Sequence, residues 1–227
     1  MTGSDNAAAW GLPGVLDFFA DERNTSDKVY PSEWFFLHQH LREGITVLDV
    51  GCAQGGFAAV LGEHLADFAY TGVDINAAMV DRARAAHPDH RFLVTGEGDL
   101  SPLEDQTFDL VLVLGILHLH EAWRDTLAAA WARTAGALIF DLRETDGPTV
   151  EDRTRAWFRM DFAGGGGEHG ETILPYNLIN AGEALAEARR LCPGAANLSR
   201  YGYLHAPRGS AVLPVDQVLA ETWCAER

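Results

Sequence analysis

An acid followed by a glycine turn, Asp49-Val50-Gly51-Cys52-Ala53-Gln54-Gly55-Gly56, is the first feature of this chain with the makings of a binding site. The apolar run Thr46-Val47-Leu48 leads into it, and Phe57-Ala58-Ala59-Val60 continues at helical spacing toward Leu65. The spacing predicts a strand, a tight turn and a helix. Such a turn lets a ligand lie against bare backbone at the start of a helix, where unpaired N–H groups and the dipole favour a negative group. Asp49 adds a second demand. A carboxylate at the mouth of the loop repels a pyrophosphate but suits an ammonium group. Gly51, Ala53 and Gly56 meet the dinucleotide spacing G-x-G-x-x-G only with alanine in the middle, so a dinucleotide stays as the alternative.

Further groups that can do chemistry follow at the ends of other apolar runs. Tyr70-Thr71-Gly72-Val73-Asp74 ends in an acid 25 residues beyond Asp49, where a carboxylate accepts from both ribose hydroxyls of a nucleoside, with Ile75 against its base. His118 and His120 follow the run Phe108 to Gly115, two residues apart, and face one way if the chain is extended. Histidine is the commonest base near neutral pH, and each competes with a structural reading as a packed imidazole. Asp141 and Arg143 end the run Ala137 to Arg143, pointing either to substrate or to each other as an ion pair. A metal site of His118, His120 and Asp141 is conceivable, and none is assigned. His169 on a glycine tract, with Tyr176 and Asn177, supplies further polar groups for a substrate.

The elements that must position these groups read as alternating strands and helices. Strands are expected near 46–50, 70–74, 91–95, 108–114 and 137–143, and helices at Ala77–Ala86, from about Ala122 to Thr134, and at Glu183–Leu191. The continuous apolar run Leu110-Val111-Leu112-Val113-Leu114 suits a strand covered on both faces. Residues 1–13 read as a loose tail and Val15–Phe19 as the start of a short helix. Ser32 reads as the N-cap of a helix through Trp34, Phe36, Leu37 and Leu41. Within 144–180, Trp157–Met160 suggests an amphipathic helix or lid and Gly164–Gly170 a loop; the tract is no phosphate-binding P-loop, because no Lys-Ser or Lys-Thr follows it. Leu198–Leu204 and Gln217–Trp223 read as two late strands with no long helix between them.

The run Val47-Leu48-Asp49-Val50-Gly51-Cys52-Ala53-Gln54-Gly55 resembles the first motif of the class I S-adenosylmethionine (SAM) dependent methyltransferases, and Phe108-Asp109-Leu110-Val111 with the later Leu117-His118 resembles their fourth strand and its exit loop. Ala53 replaces the usual second glycine of the motif, adding one methyl group in a position where alanine is at ease if φ is negative. The resemblance implies SAM as cofactor. It assigns Asp49, Gly51 and Gly55 to the methionine end, Asp74 and Ile75 to the nucleoside, Glu97 and Gly98 to the adenine edge with Asp99 as competitor, and Leu114 and Gly115 to the amino group. It also implies that Tyr30 and Trp34, on N-terminal helices, close over the ligand. The implied fold is a single α/β domain of 1–227: a Rossmann-like doubly wound sheet, mostly parallel with an antiparallel last strand, an N-terminal helical cap at about 14–44 and an inserted lid at about 144–180. The implied activity is methyl transfer to a small-molecule acceptor, with His118, His120 and Asp141 as candidate catalytic residues. An NAD(P)-dependent oxidoreductase and a SAM-binding protein without catalysis are the alternatives.

Composition narrows the partners. Seventeen basic residues against 33 acidic ones leave a net charge of −16, which repels phosphate backbones and anionic membranes. Nucleic acid and membrane are therefore not expected as partners, and the chain is expected as a monomer or homodimer. The three cysteines, Cys52, Cys192 and Cys224, lack metal-site spacing and read as reduced core thiols of a cytoplasmic protein. No signal peptide is expected from the polar Met1–Ala9, and no apolar run approaches the roughly 20 residues that span a bilayer.

Overall fold

Apolar runs buried on both faces set the architecture. The computed structural model describes residues 3–160, 172–207 and 209–227. Its strands are β1 (Ile45–Val50), β2 (Phe68–Asp74), β3 (Arg91–Val94), β4 (Phe108–Val113), β5 (Thr134–Thr145), β6 (Trp157–Arg159), β7 (Ile173–Pro175), β8 (Ile179–Asn180), β9 (Asn197–His205), β10 (Ala211–Val212) and β11 (Val218–Glu226). The main sheet runs in the order β3-β2-β1-β4-β5-β11-β9. Its first five strands are mutually parallel, and β11 lies antiparallel between β5 and β9. The short β8 pairs parallel with the end of β5, and β10, β6 and β7 form a separate small antiparallel sheet.

The helices are α1 (Gly3–Trp10), α2 (Pro13–Asp21), α3 (Pro31–His40), α4 (Gly56–Gly62), α5 (Ala77–Ala86), α6 (Trp123–Ala132) and α7 (Ala181–Leu191). Strand alternation sends successive side chains to opposite layers. Val47, Leu110 and Leu112 pack with Phe36, Leu37, Phe57, Leu61 and Val80 of α3, α4 and α5. Their strand neighbours Leu48, Val111 and Val113 pack with Trp123, Leu127 and Trp131 of α6 and Ala184 and Ala188 of α7. Each fully buried Leu, Val or Phe contributes about 1.5–3 kcal/mol. Asn76 caps α5 by accepting from Met79 N at 3.0 Å, and Asn180 caps α7 by accepting from Gly182 N at 2.9 Å. A third cluster joins Ala9, Val15 and Leu16 of the N-terminal helices to Met79, Leu119, Leu174, Tyr176 and Val218, roofing the carboxyl ends of the strands.

Three local expectations are corrected. The tail expected over residues 1–13 is helical over Gly3–Trp10, because Ala9 is held in that third cluster. The cap of α3 is Tyr30 rather than Ser32. Pro31 opens the helix where its missing N–H costs nothing, and the Glu33 carboxylate accepts from Tyr30 N at 3.2 Å. Ser32 is buried instead and accepts from Thr222 Oγ1 at 2.8 Å. Residues 157–159 are strand and not helix, since Phe158 pairs with Leu174 on one side and Ala211 on the other. The Gly164–Gly170 tract and His169 lie outside the described residues.

The register between β4 and β5 shifts between Phe108 and Leu110, and Gly136 lies where an added Cβ would stand 2.5 Å from the Asp109 carbonyl oxygen. No side chain fits there without moving backbone. Gly136→Ala is expected to destabilise the chain by about 1–3 kcal/mol, read as a lower urea midpoint at unchanged slope; an unaltered midpoint would show that the shift has slack.

Candidate functional site

The parallel strands reverse their order between β1 and β4, and ligands of open α/β sheets bind outside the carboxyl ends at such a point. A cavity of about 510 Å³ opens there. The turn after β1 forms one wall. Gly51 and Gly55 both have φ 81°, a conformation that glycine adopts freely. Ala53 between them has φ 46°, so the motif alanine sits in left-handed backbone and the expectation of negative φ fails. Gly55 does not line the cavity. It is the N-cap of α4, and its bare face meets His87 and Phe92, so packing rather than ligand approach requires it.

Asp49 and Asp74, at the ends of adjacent strands, both line the cavity. Asp49 is 3% exposed and accepts from the Tyr70 hydroxyl at 2.5 Å. Burial pushes its carboxyl up to about 7, with the Tyr70 hydrogen bond and Arg23 opposing and Asp74 assisting. Asp74 accepts from Ala53 N at 2.9 Å and Asn76 N at 2.8 Å, one on each oxygen. Burial raises its carboxyl and those N–H groups pull it back. Ile75 N–H is a third backbone donor to the same carboxylate. Ile75 lines the cavity beside it.

Glu97 and Gly98 line the far end. Oε1 of Glu97 accepts from the Asn6 amide, whose Oδ1 accepts in turn from Trp10 Nε1 at 3.0 Å. Asp99 accepts from Ser101 N at 2.9 Å and does not line the cavity, whereas Glu97 does. Leu114 and Gly115 line the opposite end, with Gly115 N donating to Asp141 at 2.6 Å.

The remaining wall carries the charged and aromatic groups. His118 and His120 lie in and just after a short 3-10 turn, Leu117–Leu119, not in extended chain, yet both line the cavity. They are 8% and 7% exposed, and Nδ1 of His118 and both nitrogens of His120 have no hydrogen-bond partner. Burial lowers both: His118 falls well below its usual range, aided by Arg143, and His120 falls to about 4. Both imidazoles are neutral at pH 7. Asp141 and Arg143 form an ion pair at 2.5 Å in which Arg143 lines the cavity and Asp141 does not. Burial acts to raise the Asp141 carboxyl, but Arg143, His118 and the Gly115 N–H outweigh it and hold it below the carboxylate range. An ionised, doubly engaged Asp141 is a poor proton acceptor.

Other expected substrate groups separate. Tyr176 lines the cavity with its ring at 5.0 Å from His118, whereas Asn177 is spent on scaffolding. Its amide donates to Leu117 O at 3.1 Å and His120 O at 2.8 Å, fixing the histidine turn. Tyr30 lines the cavity; Trp34 does not and packs against His38 and His64. Cys52 is buried, and burial holds its thiol well above its usual range. Among the described residues no group of three or more His, Cys, Asp or Glu is placed to hold a metal ion.

Arg23, Glu33, Asn6, Trp10 and Tyr203 escaped the sequence reading. Arg23 has φ 48°, pairs with Glu33 at 3.1 Å and lies over the Tyr30 ring at 4.8 Å. The one signal available was an acid, Glu33, set among the apolar residues of α3.

Residues 48–136 match the family model described as a methyltransferase domain. Over 108 residues the chain is 34% identical to phthiotriol/phenolphthiotriol dimycocerosates methyltransferase 1 of Mycobacterium ulcerans, covering 45% of this chain and 40% of that protein. Over 79 residues it is 35% identical to a fatty-acid O-methyltransferase of Mycolicibacterium smegmatis, covering 34% and 29%. The chain thus spans less than half the length of these relatives. In fold it is similar to the Burkholderia thailandensis 1,6-didemethyltoxoflavin-N1-methyltransferase crystallised with 1,6-didemethyltoxoflavin and S-adenosylhomocysteine, with TM-score 0.60 and 22% identity over 99% of this chain and 86% of that one.

The burial of Asp49 generates a pH-dependent stability. Its folded value near 7 exceeds the ordinary carboxylate value, so the contribution is fully present below about pH 4 and is lost as pH rises through 7. Asp49→Asn keeps an acceptor for Tyr70 and removes that loss. In urea unfolding of the ligand-free chain it is expected to gain on the order of 1–3 kcal/mol over wild type at pH 8 relative to pH 4.5; an equal difference at both pH values would contradict the protonation assigned.

Proposed function

We propose that this chain, which belongs to the class I SAM-dependent methyltransferase family, binds SAM at the switch-point cavity and transfers its methyl group to a small-molecule acceptor. The observation that carries this reading is the convergence of Asp49, the turn from Gly51 to Phe57, Asp74, Glu97 and Leu114 on one cavity, at the ends of four adjacent parallel strands. The Asp74 carboxylate at the end of β2 fits a ribose hydroxyl, and Oε2 of Glu97 fits an exocyclic amine beside the Asn6 amide. Asp49 fits an ammonium group, which would draw it into the ionised state. A nicotinamide dinucleotide fits less well, because its pyrophosphate would face Asp49 and Asp74.

When bound, SAM supplies a methyl group on a positively charged sulfur. Alignment of an acceptor atom with that methyl contributes much of the rate, on the order of 7 kcal/mol in favourable cases. The chain aligns it with a rigid wall. Asn177 fixes the histidine turn, Tyr176 packs on His118, and the Asp141–Arg143 pair is anchored through Gly115 N–H. The neutral imidazole of His118 lines the cavity and can accept the proton that a hydroxyl or amine acceptor gives up. His120 holds the second position for that role, and Asp141 positions rather than reacts. The helices within about 14–44 form the cap over this cavity, the described residues 144–160 and 172–180 belong to the acceptor-side insertion, and the whole is one domain. Small molecules are the partners proposed, and among the described residues no helix is long and apolar enough to cross a membrane.

The family match ends at residue 136, at the start of β5 and before Asp141, Arg143 and Tyr176. The lipid and fatty-acid acceptors named for the relatives therefore do not transfer. By isothermal titration Asp74→Ala is expected to weaken SAM at least tenfold, and unchanged affinity would remove the ribose assignment. His118→Ala is expected to keep SAM affinity while lowering methyl turnover about 10²-fold or more; an unchanged rate would remove His118 as base.

A further inference from the structure

Two arginines, in a chain with net charge −16, are drawn into the acceptor side of the cavity. Their side chains are 17% exposed for Arg23 and 12% for Arg143. Each has a carboxylate partner, Glu33 at 3.1 Å and Asp141 at 2.5 Å. Neither guanidinium is saturated by it. All hydrogen bonds of Arg143 leave from Nη1, to Asp141 and to Leu142 O, so Nε and Nη2 make none among the described residues. Nε of Arg23 is buried with no partner, and Nη1 of the same residue stands beside Gly115, the backbone link to Asp141.

A buried charged donor without a partner is costly. Nε of Arg23 is one, and the free Nε and Nη2 edge of Arg143 lies in the cavity wall that also carries His118. A purely structural ion pair would use the free donors on backbone carbonyls, as Arg227 does on Thr134 O and Trp131 O. The free Nε and Nη2 edge of a guanidinium matches a carboxylate by two parallel hydrogen bonds. Leu119, Phe158 and Tyr176 line the same cavity with apolar and aromatic surface, the Tyr176 ring at 5.0 Å from His118.

We infer that the methyl acceptor is a small planar acid, whose carboxylate is received by the Nε and Nη2 edge of Arg143 and by Arg23 while its apolar body packs against the aromatic wall. The inference rests on the proposed cofactor reading. Arg23 and Arg143 are then specificity-determining residues, which select acids against their neutral amides.

The test uses the full chain. S-adenosylhomocysteine is first titrated alone by calorimetry; failure to bind would overturn the cofactor reading and leave the second arm to be run on the free chain. The chain saturated with S-adenosylhomocysteine is then titrated with benzoate, 4-hydroxybenzoate and phenylacetate, each against its amide. At least one acid is expected to bind tenfold or more tightly than its amide. In Arg143→Lys, which keeps a cation for Asp141 but loses the planar fork, that ratio is expected to fall below threefold, with S-adenosylhomocysteine affinity within twofold of wild type as the check on folding. Amides that bind as well as acids, no acid binding at 10 mM, or a ratio untouched by Arg143→Lys would each overturn the carboxylate assignment.

Discussion

Two carboxylates stand side by side at the ends of neighbouring parallel strands, away from water, and the geometry around them follows from keeping them there. Asp49 is held by the Tyr70 hydroxyl and Asp74 by the N–H groups of Ala53 and Asn76. The turn that delivers the Ala53 N–H must pass through left-handed backbone at Gly51, Ala53 and Gly55. That strain, of order 1 kcal/mol or more at an alanine, persists because a desolvated acid without donors costs more. A site with this arrangement has an affinity for positive charge built into its resting state.

Charge on the other side of the cavity is organised differently. Arg23 and Arg143 come from elements far apart in the chain, the loop after α2 and the strand β5, yet share a neighbourhood with Glu33, Asp141 and His118. Here the acids serve the arginines, and the arginine field keeps His118 neutral together with burial. The cavity is thus polarised between an acid-rich wall of strand ends and an arginine-bearing wall under the cap. A sulfonium and a nucleophile brought between two such walls would be oriented by the field before any contact is made.

The doubly wound sheet was legible because its signals are local or periodic. Strand runs ending in acids, the glycine turn after Leu48, and Asn76 as a cap each depend on neighbours within a few residues, and β9 with β11 form the antiparallel pair expected. Short segments failed where the signal was brief. Trp157–Arg159 has too few residues to show a period, and its strand state is decided by pairing with Leu174 and Ala211. Residues 3–10 lack a strong apolar stripe and are ordered by what they cover.

At the site the same division holds. Sequence alone determined where the glycine turn would fall and which acids would end β1 and β2, since each acid stands where a continuous apolar run, buried on both faces, gives way to turn residues. Only the tertiary structure decided the rest: that Glu97 and not Asp99 faces the cavity, that Asp141 is tied to Arg143 and Gly115, that Asn177 braces the histidine turn, and that Arg23 and Glu33 belong to the site. Those are choices between partners distant in the chain, made by burial and charge pairing in a three-dimensional enclosure, and no spacing along the sequence encodes them.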